Sequence, residues 1–419
     1  MAIETRVRPD DPTGPTQPDL DPHSESPGPK SMAAARHTPV PGVTVVSTEH
    51  NLETMEMTIN MGPQHPSTHG VFRMVLTLEG ERVKQLEPHI GYLHRGAEKL
   101  GESGDVEGYR KAMIWLDRTD YLSVWPNEHA FVLAVEKLMG VQVPERAEWI
   151  RLIMDEFGRL NSHSMFYGAF GADAGATTPF MYAFALREEL YRLFEAVGGQ
   201  RMFPNYYRIG GLREDVPVDF MQRATKALDA AKYALGDFDR LISDNEIFLA
   251  RTRGVATLSA ERAIDLGCSG PMLRATGVPI DIRRTEPYSF YDRVDFEIPI
   301  GTAGDCYERY LIRLSEMFQS IRIIEQALKL LPKGPIMGNA PKAIRPPKGD
   351  SYQRVENARG DFGVYIVSDG KGSAPYRVKY RSPCFSNLMA LNDLAVGAYV
   401  ADAVMGLGSI DIVLGEVDR

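Results

Sequence analysis

The chain has 419 residues, of which 43% are hydrophobic and 25% charged, and its net charge is −9. The proportions are those of an ordinary globular protein, and the length calls for two or three lobes at ~100–200 residues per domain. An acidic chain lacks the basic footprint needed to bind nucleic acid or adsorb to anionic lipid.

Residues 1–48 are rich in Pro, Asp, Ser, Thr and Gly, and read as a disordered arm that buries too little to offset its ordering entropy. A β domain is expected over 49–105. Met55-Glu-Met-Thr-Ile-Asn-Met61 alternates, and Gly70 to Leu78 is apolar and β-branched, with Gly62-Pro63 as a turn between them. A helical bundle is expected over 106–332. Its elements are predicted at 128–139, 147–167, 179–197, 217–242, 259–266 and 305–331, each from apolar residues at helical spacing. The Pro- and Lys-rich stretch 333–350 reads as a linker. A final domain, 351–419, opens with strands Gly363–Ser368 and Tyr376–Tyr380 around an Asp369-Gly-Lys-Gly372 hairpin, and ends helical, then extended. The predicted class is α+β, a central helical bundle flanked by small N- and C-terminal sheets.

The three cysteines, Cys268, Cys306 and Cys384, are widely spaced and make no C-x-x-C pair. They read as buried thiols of a reducing compartment rather than a disulfide framework. The apolar run Tyr399–Leu414 is too short to span a bilayer and is broken by Asp402 and Asp411, and the N-terminus has no apolar signal segment. Membrane association is expected through partners.

All nine histidines lie within the first 163 residues, so histidine chemistry belongs to the N-terminal sheet and early helices. They are densest in Met61-Gly-Pro-Gln-His-Pro-Ser-Thr-His-Gly-Val-Phe-Arg73. Two prolines there exclude a regular helix, and two glycines permit a tight backbone path. Three readings of His65 and His69 stand side by side: a zinc site with His89 and His94, a structural role, and proton transfer or ligand binding. Trp115-Leu-Asp-Arg-Thr-Asp-Tyr121 offers a phenol that either packs or donates to a ligand carbonyl. Asp173, in Gly171-Ala-Asp-Ala-Gly175, would orient an imidazole. By pattern alone it reads better as a cap for the helix beginning near Thr178. There is no P-loop, and the Gly-Gly fragments lack the context of a dinucleotide fingerprint, so direct NAD binding is not expected.

The stretches Gly62-Pro-Gln-His-Pro-Ser-Thr-His-Gly70, His89-Ile-Gly-Tyr-Leu-His-Arg-Gly96, Asp117-Arg-Thr-Asp-Tyr121 and Gly175-Ala-Thr-Thr-Pro-Phe180 resemble the 49 kDa (D-type) subunit family of NADH:quinone oxidoreductase, respiratory complex I. So do Arg208-Ile-Gly-Gly-Leu212, Gly304-Asp-Cys-Tyr-Glu-Arg-Tyr310, Arg359–Asp369 and Gly415-Glu-Val-Asp-Arg419. The resemblance spans roughly residues 55–419. It implies the fold of nickel–iron hydrogenase large subunits, with the metal-holding C-x-x-C pairs gone and no metal bound. It implies a proton-translocating enzyme in which this chain reduces quinone and holds no cofactor itself. Electrons would come from the terminal iron–sulfur cluster of a partner.

The implied partners are the small iron–sulfur B subunit, the C subunit, the iron–sulfur I subunit and the membrane H and A subunits. The implied place is peripheral, on the cytoplasmic face of the inner membrane. By the same resemblance His69 and Tyr121 hydrogen-bond the two quinone carbonyls, and Asp173 partners His69. His65 and Asp411 belong to the pocket, Arg73 and Arg118 face the cluster, and His163 matches a helix histidine.

Three departures from the family pattern follow. Phe203 stands where relatives often carry a histidine that ties the cluster potential to pH. The cluster's midpoint potential is therefore expected to stay nearly flat with pH, and a steep slope in a redox titration of the assembled complex would refute this. An insertion at 101–105 bears on the placement of Tyr121. The 333–350 linker is short, and a contact with another protein of the complex is expected to be lost there. The alternative function is a non-catalytic structural or assembly paralogue.

Overall fold

Along Arg73–Glu79 the side chains of Met74, Leu76 and Leu78 are buried and those between them are not, the signature of a strand with one face on the core. The computed structural model describes residues 43–50, 55–103 and 108–419, with side chains from Glu56 onward. Strands β1 (Val43–His50), β2 (Met55–Met61), β3 (Arg73–Glu79) and β4 (Arg82–His89) form an antiparallel sheet in that order. The register sets Met61 opposite Met74 and Arg73 opposite His89, so residues 62–72 close one end of the sheet as a loop. β1 starts inside the stretch read as a disordered arm. Its Val43-Thr-Val-Val46 run is β-branched, and its backbone pairs with β2. The rest of that arm, 1–42, lies outside the described residues, as does the end of the 101–105 insertion.

Helices α1 (Ala97–Gly101), α2 (Gly108–Leu116), α3 (Val124–Met139), α4 (Glu145–Asp173) and α5 (Thr178–Gly198) follow. After a short hairpin of β5 (Tyr207–Arg208) and β6 (Gly211–Leu212) come α6 (Phe220–Phe238), α7 (Glu246–Thr252), α8 (Ala260–Asp265), α9 (Pro271–Arg274), α10 (Ile282–Thr285) and α11 (Cys306–Leu330). Strands β7 (Gly349–Asn357), β8 (Gly360–Ser368) and β9 (Arg377–Arg381) make the second antiparallel sheet. The chain closes with α12 (Pro383–Leu388), α13 (Leu391–Ala395), α14 (Val400–Ile410) and α15 (Leu414–Asp418). The class is α+β, helical at the centre with a small sheet at either end. The predicted extended C-terminus is instead helical to Asp418, since α15 packs against α12.

α4 outruns its prediction because its last turns carry glycines that α5 presses upon. A Cβ at Gly168 would lie 3.0 Å from Phe180 Cα, and one at Gly171 3.0 Å from Pro179 Cβ. The helix packs on α5 and α11 and is buried on nearly every face, charged residues included. Glu156 accepts from Arg283 (3.1 Å), Tyr291 (2.7 Å) and Ser320 (2.6 Å). Against the upward push of burial, Arg159 and Arg283 pull its carboxyl down to about 2. Arg274 bridges Glu316 (2.6 Å) and Glu356 (2.8 Å). Such a network gives little net stability, but removing one partner costs about 3–5 kcal/mol, so it fixes how α4, α9–α11 and β7 meet.

Candidate functional site

The β2–β3 loop is built to present one histidine. Gly62 has φ 87, and a Cβ there would stand 2.0 Å from the Phe72 carbonyl oxygen, so only glycine fits. Pro66–Thr68 makes a single 3₁₀ turn. His65 caps it: its Nδ1 accepts from the Ser67 N–H (3.2 Å), and its carbonyl accepts from Thr68 Oγ1 (2.8 Å). His69 ends the turn in the left-handed region, φ 51, and this turns its side chain toward the end of α4.

There it meets a cavity of about 420 Å³ lined by His69, Tyr121, Asp173 and Asp411 together with apolar residues such as Phe166 and Val413. His69 Nε2 stands 3.3 Å from Asp173 Oδ2. The two atoms are buried and misaligned for a hydrogen bond, and neither has another partner, so the contact is an ion pair whenever the ring is protonated. Burial by itself lowers the His69 pKa, but Asp173 and then Asp411 outweigh it, and the net shift is upward from 6.5. With Nε2 turned to Asp173, Nδ1 is the nitrogen left for a ligand. Asp173 is the last residue of α4, and Thr177 precedes α5 at its cap position without a side-chain bond. The capping reading of Asp173 is therefore wrong. The corner between Asp173 and Thr177 places its carboxylate on the cavity instead.

Tyr121 follows α2 in the turn that leads to α3. Its hydroxyl has no hydrogen-bond partner among the described residues. Burial, then Asp120, raise its pKa above 10, so the phenol keeps its proton. Asp411 caps α14 in the left-handed region, φ 63. Behind both walls sits Arg359, fully buried. It donates to Asp411 Oδ1 (3.2 Å), to Asp120 Oδ2 (3.2 Å) and to Ser162, tying the Asp411 wall to the residue beside Tyr121. Arg313 lies 3.7 Å from Asp411 Oδ2 and over the Phe166 ring at 4.1 Å, and burial pulls its pKa down to about 10.

The other expected positions lie apart. His65 is turned into its own loop. Arg73 bonds Asn60 Oδ1 (2.9 Å) and Tyr92 (3.3 Å) near the sheet end. Arg118 stacks on Phe203 at 4.6 Å. His163 is bonded to Glu316 (2.8 Å) within the core network, and burial lowers its pKa. Among the described residues, no group of three or more His, Cys, Asp or Glu side chains is gathered as a metal site.

Sequence reading misses Arg359, Asp120 and Gly408 as parts of the site. The first two stand inside motifs of the family pattern. Gly408 carries no signal: a Cβ there would lie 2.6 Å from Asp173 Oδ2. Because that atom ends a flexible side chain, Gly408→Ala is expected to displace Asp173 while leaving the fold intact, since Ala adds up to about 1 kcal/mol of helix propensity. The pH at which His69 gives up its proton should fall while the thermal midpoint holds. A parallel drop in both would show that α14 itself had moved.

A basic-shifted imidazole, a protonated phenol and a carboxylate around one largely apolar cavity can hydrogen-bond an oxygen-bearing ligand and deliver protons to it. The sequence profile of the family described as respiratory-chain NADH dehydrogenase, 49 Kd subunit, matches residues 173–348 and 341–419. The NADH-quinone oxidoreductase D subunit of Desulforamulus reducens is 52% identical over 367 residues, covering 88% of this chain and 99% of the relative. The protein of the same name from Dehalococcoides mccartyi (strain ATCC BAA-2266) is 51% identical over 369 residues, 88% of this chain and all of the relative. That of Clostridium beijerinckii is 48% identical over 371 residues, 88% of this chain and 99% of the relative.

Proposed function

Because the chain belongs to the 49 kDa subunit family of respiratory-chain NADH dehydrogenase, and so is a component of complex I, we propose that its cavity is where quinone is reduced to quinol. The observation that carries this reading is that His69, Tyr121 and Asp173 line one cavity. His69 would donate to one quinone oxygen and Tyr121 to the other. Two electrons from a partner's iron–sulfur cluster and two protons convert quinone to quinol. The partners in this reading are the B, C, I, H and A subunits. No helix among the described residues is long and apolar enough to cross a membrane, and attachment at the cytoplasmic face would come through the H and A subunits.

The imidazolium is the readier proton source, at an ordinary pKa of ~6.5 against ~10 for a phenol. A donor already aimed at an oxygen that gains charge stabilises that charge in a dry pocket. Loss of the His69 proton then leaves Asp173 and Asp411 facing a neutral ring. This change of local charge is the signal we assign to the start of proton translocation. Arg73 and Arg118 are proposed to face the cluster. A photoactivatable azidoquinone tests the site in the intact complex. Labelling of cavity residues such as Met165 or Val413, suppressed by excess quinone, is expected. Labels confined to other proteins of the complex would sink the proposal.

A further inference from the structure

The stretch 333–348 contains Lys333, Lys342, Arg345 and Lys348 and no acidic residue, in a chain whose net charge is −9. It is held in shape. Leu212 N–H donates to the Ile336 carbonyl (3.0 Å), Gly338 N–H to the Gly210 carbonyl (2.8 Å) and Ser368 Oγ to the Pro346 carbonyl (3.0 Å). Ile344 is anchored in the core, and four prolines restrict φ along the stretch. Beneath it run two adjoining clefts of about 280 and 290 Å³ that share Arg110, Lys342 and Ile344. Arg208, Arg213 and Arg345 add to their lining, and among the described residues no carboxylate does. Arg213 is engaged by Glu214 and Arg208 by carbonyls of its own turn. Lys342 and Arg345 are exposed and make no ion pair among the described residues.

We infer that this loop and its clefts are a docking surface for an extended, acidic segment of a neighbouring protein of the assembly. Lys342 and Arg345, neighbours on the loop with no ion pair among the described residues, repel one another, and a carboxylate-bearing partner relieves that repulsion. The apolar floor formed by Met113 and Ile344 suits side chains between the acids. A loop already rigid loses little entropy on binding. The sequence expectation of a lost contact is replaced here by a contact of a different kind, and this inference does not depend on the quinone reading.

Carbodiimide treatment of the intact complex tests it, because this reagent joins an amine to a carboxylate only when they touch. Lys342 should be coupled to an Asp or Glu of another protein of the complex. In the complex bearing K342E and R345E, that protein should be lost at severalfold lower salt on native gels, with K342Q and R345Q intermediate. Coupling of Lys342 only within its own chain, no coupling at all, or partner retention unchanged by charge reversal would each overturn the proposal. So would shielding of Lys342 that vanishes when lipid is stripped, which would assign the clefts to a lipid headgroup.

Discussion

Replacing Tyr121 with Phe is expected to cut NADH:quinone turnover by about a hundredfold, the effect of losing one donor aimed at a reacting oxygen. The fold should not change, because the lost hydroxyl has no partner among the described residues. His69→Ala should cost at least as much, in the ~10²–10⁴-fold range of a positioned acid. In both variants NADH oxidation by a soluble acceptor that draws electrons upstream of this chain should be unaffected. That contrast separates a chemical defect here from failed assembly. Wild-type quinone turnover in both variants would leave the cavity without a catalytic role.

The second large effect concerns pH. In the wild type Asp173 and Asp411 hold the His69 proton against burial, and the net shift is upward. In Asp173→Asn the leading opposition to burial is gone, so the His69 pKa should fall and the alkaline limb of quinone reduction should move to lower pH. The sign carries over to stability. A histidine whose folded pKa is raised contributes stability that is fully present below its unfolded pKa of ~6.5 and is lost as pH rises through the folded value. The wild type's thermal advantage over Asp173→Asn should therefore be greatest in mild acid and fade in alkali. Superimposable pH profiles for the two proteins would remove Asp173 from the mechanism.

Elements whose apolar residues follow one period are legible in the sequence. The alternation at 55–61 and the stripes behind α5 and α11 each announce their element within a few residues. α4 reads short because its apolar stripe lapses at the glycines of its last turns, and its burial on nearly every face is hidden as well. Glu156, Arg159 and Asp155 look like a solvated side, yet all three are buried, and Glu156 and Arg159 meet partners more than a hundred residues away, such as Arg283 and Asn357. β1 is hidden by the composition of the residues before it. At the site, His69 and Tyr121 stand out by residue type and family pattern, and Asp173 is obscured by the commoner capping role. Arg359 cannot be found by spacing, since its partners Asp120 and Asp411 lie 239 and 52 residues away.

The salt-bridged centre of the molecule also bears on where the chain could be divided. A break anywhere in 333–348 would leave Arg274 in one fragment and Glu356 in the other, and would part Asp120 from Arg359 as well. Asp120 in one piece and Glu356 in the other would each lose its only ion-pair partner among the described residues, a cost neither piece could meet alone. Although the loop is exposed and tolerant by its composition, the segments on its two sides are obliged to fold as one.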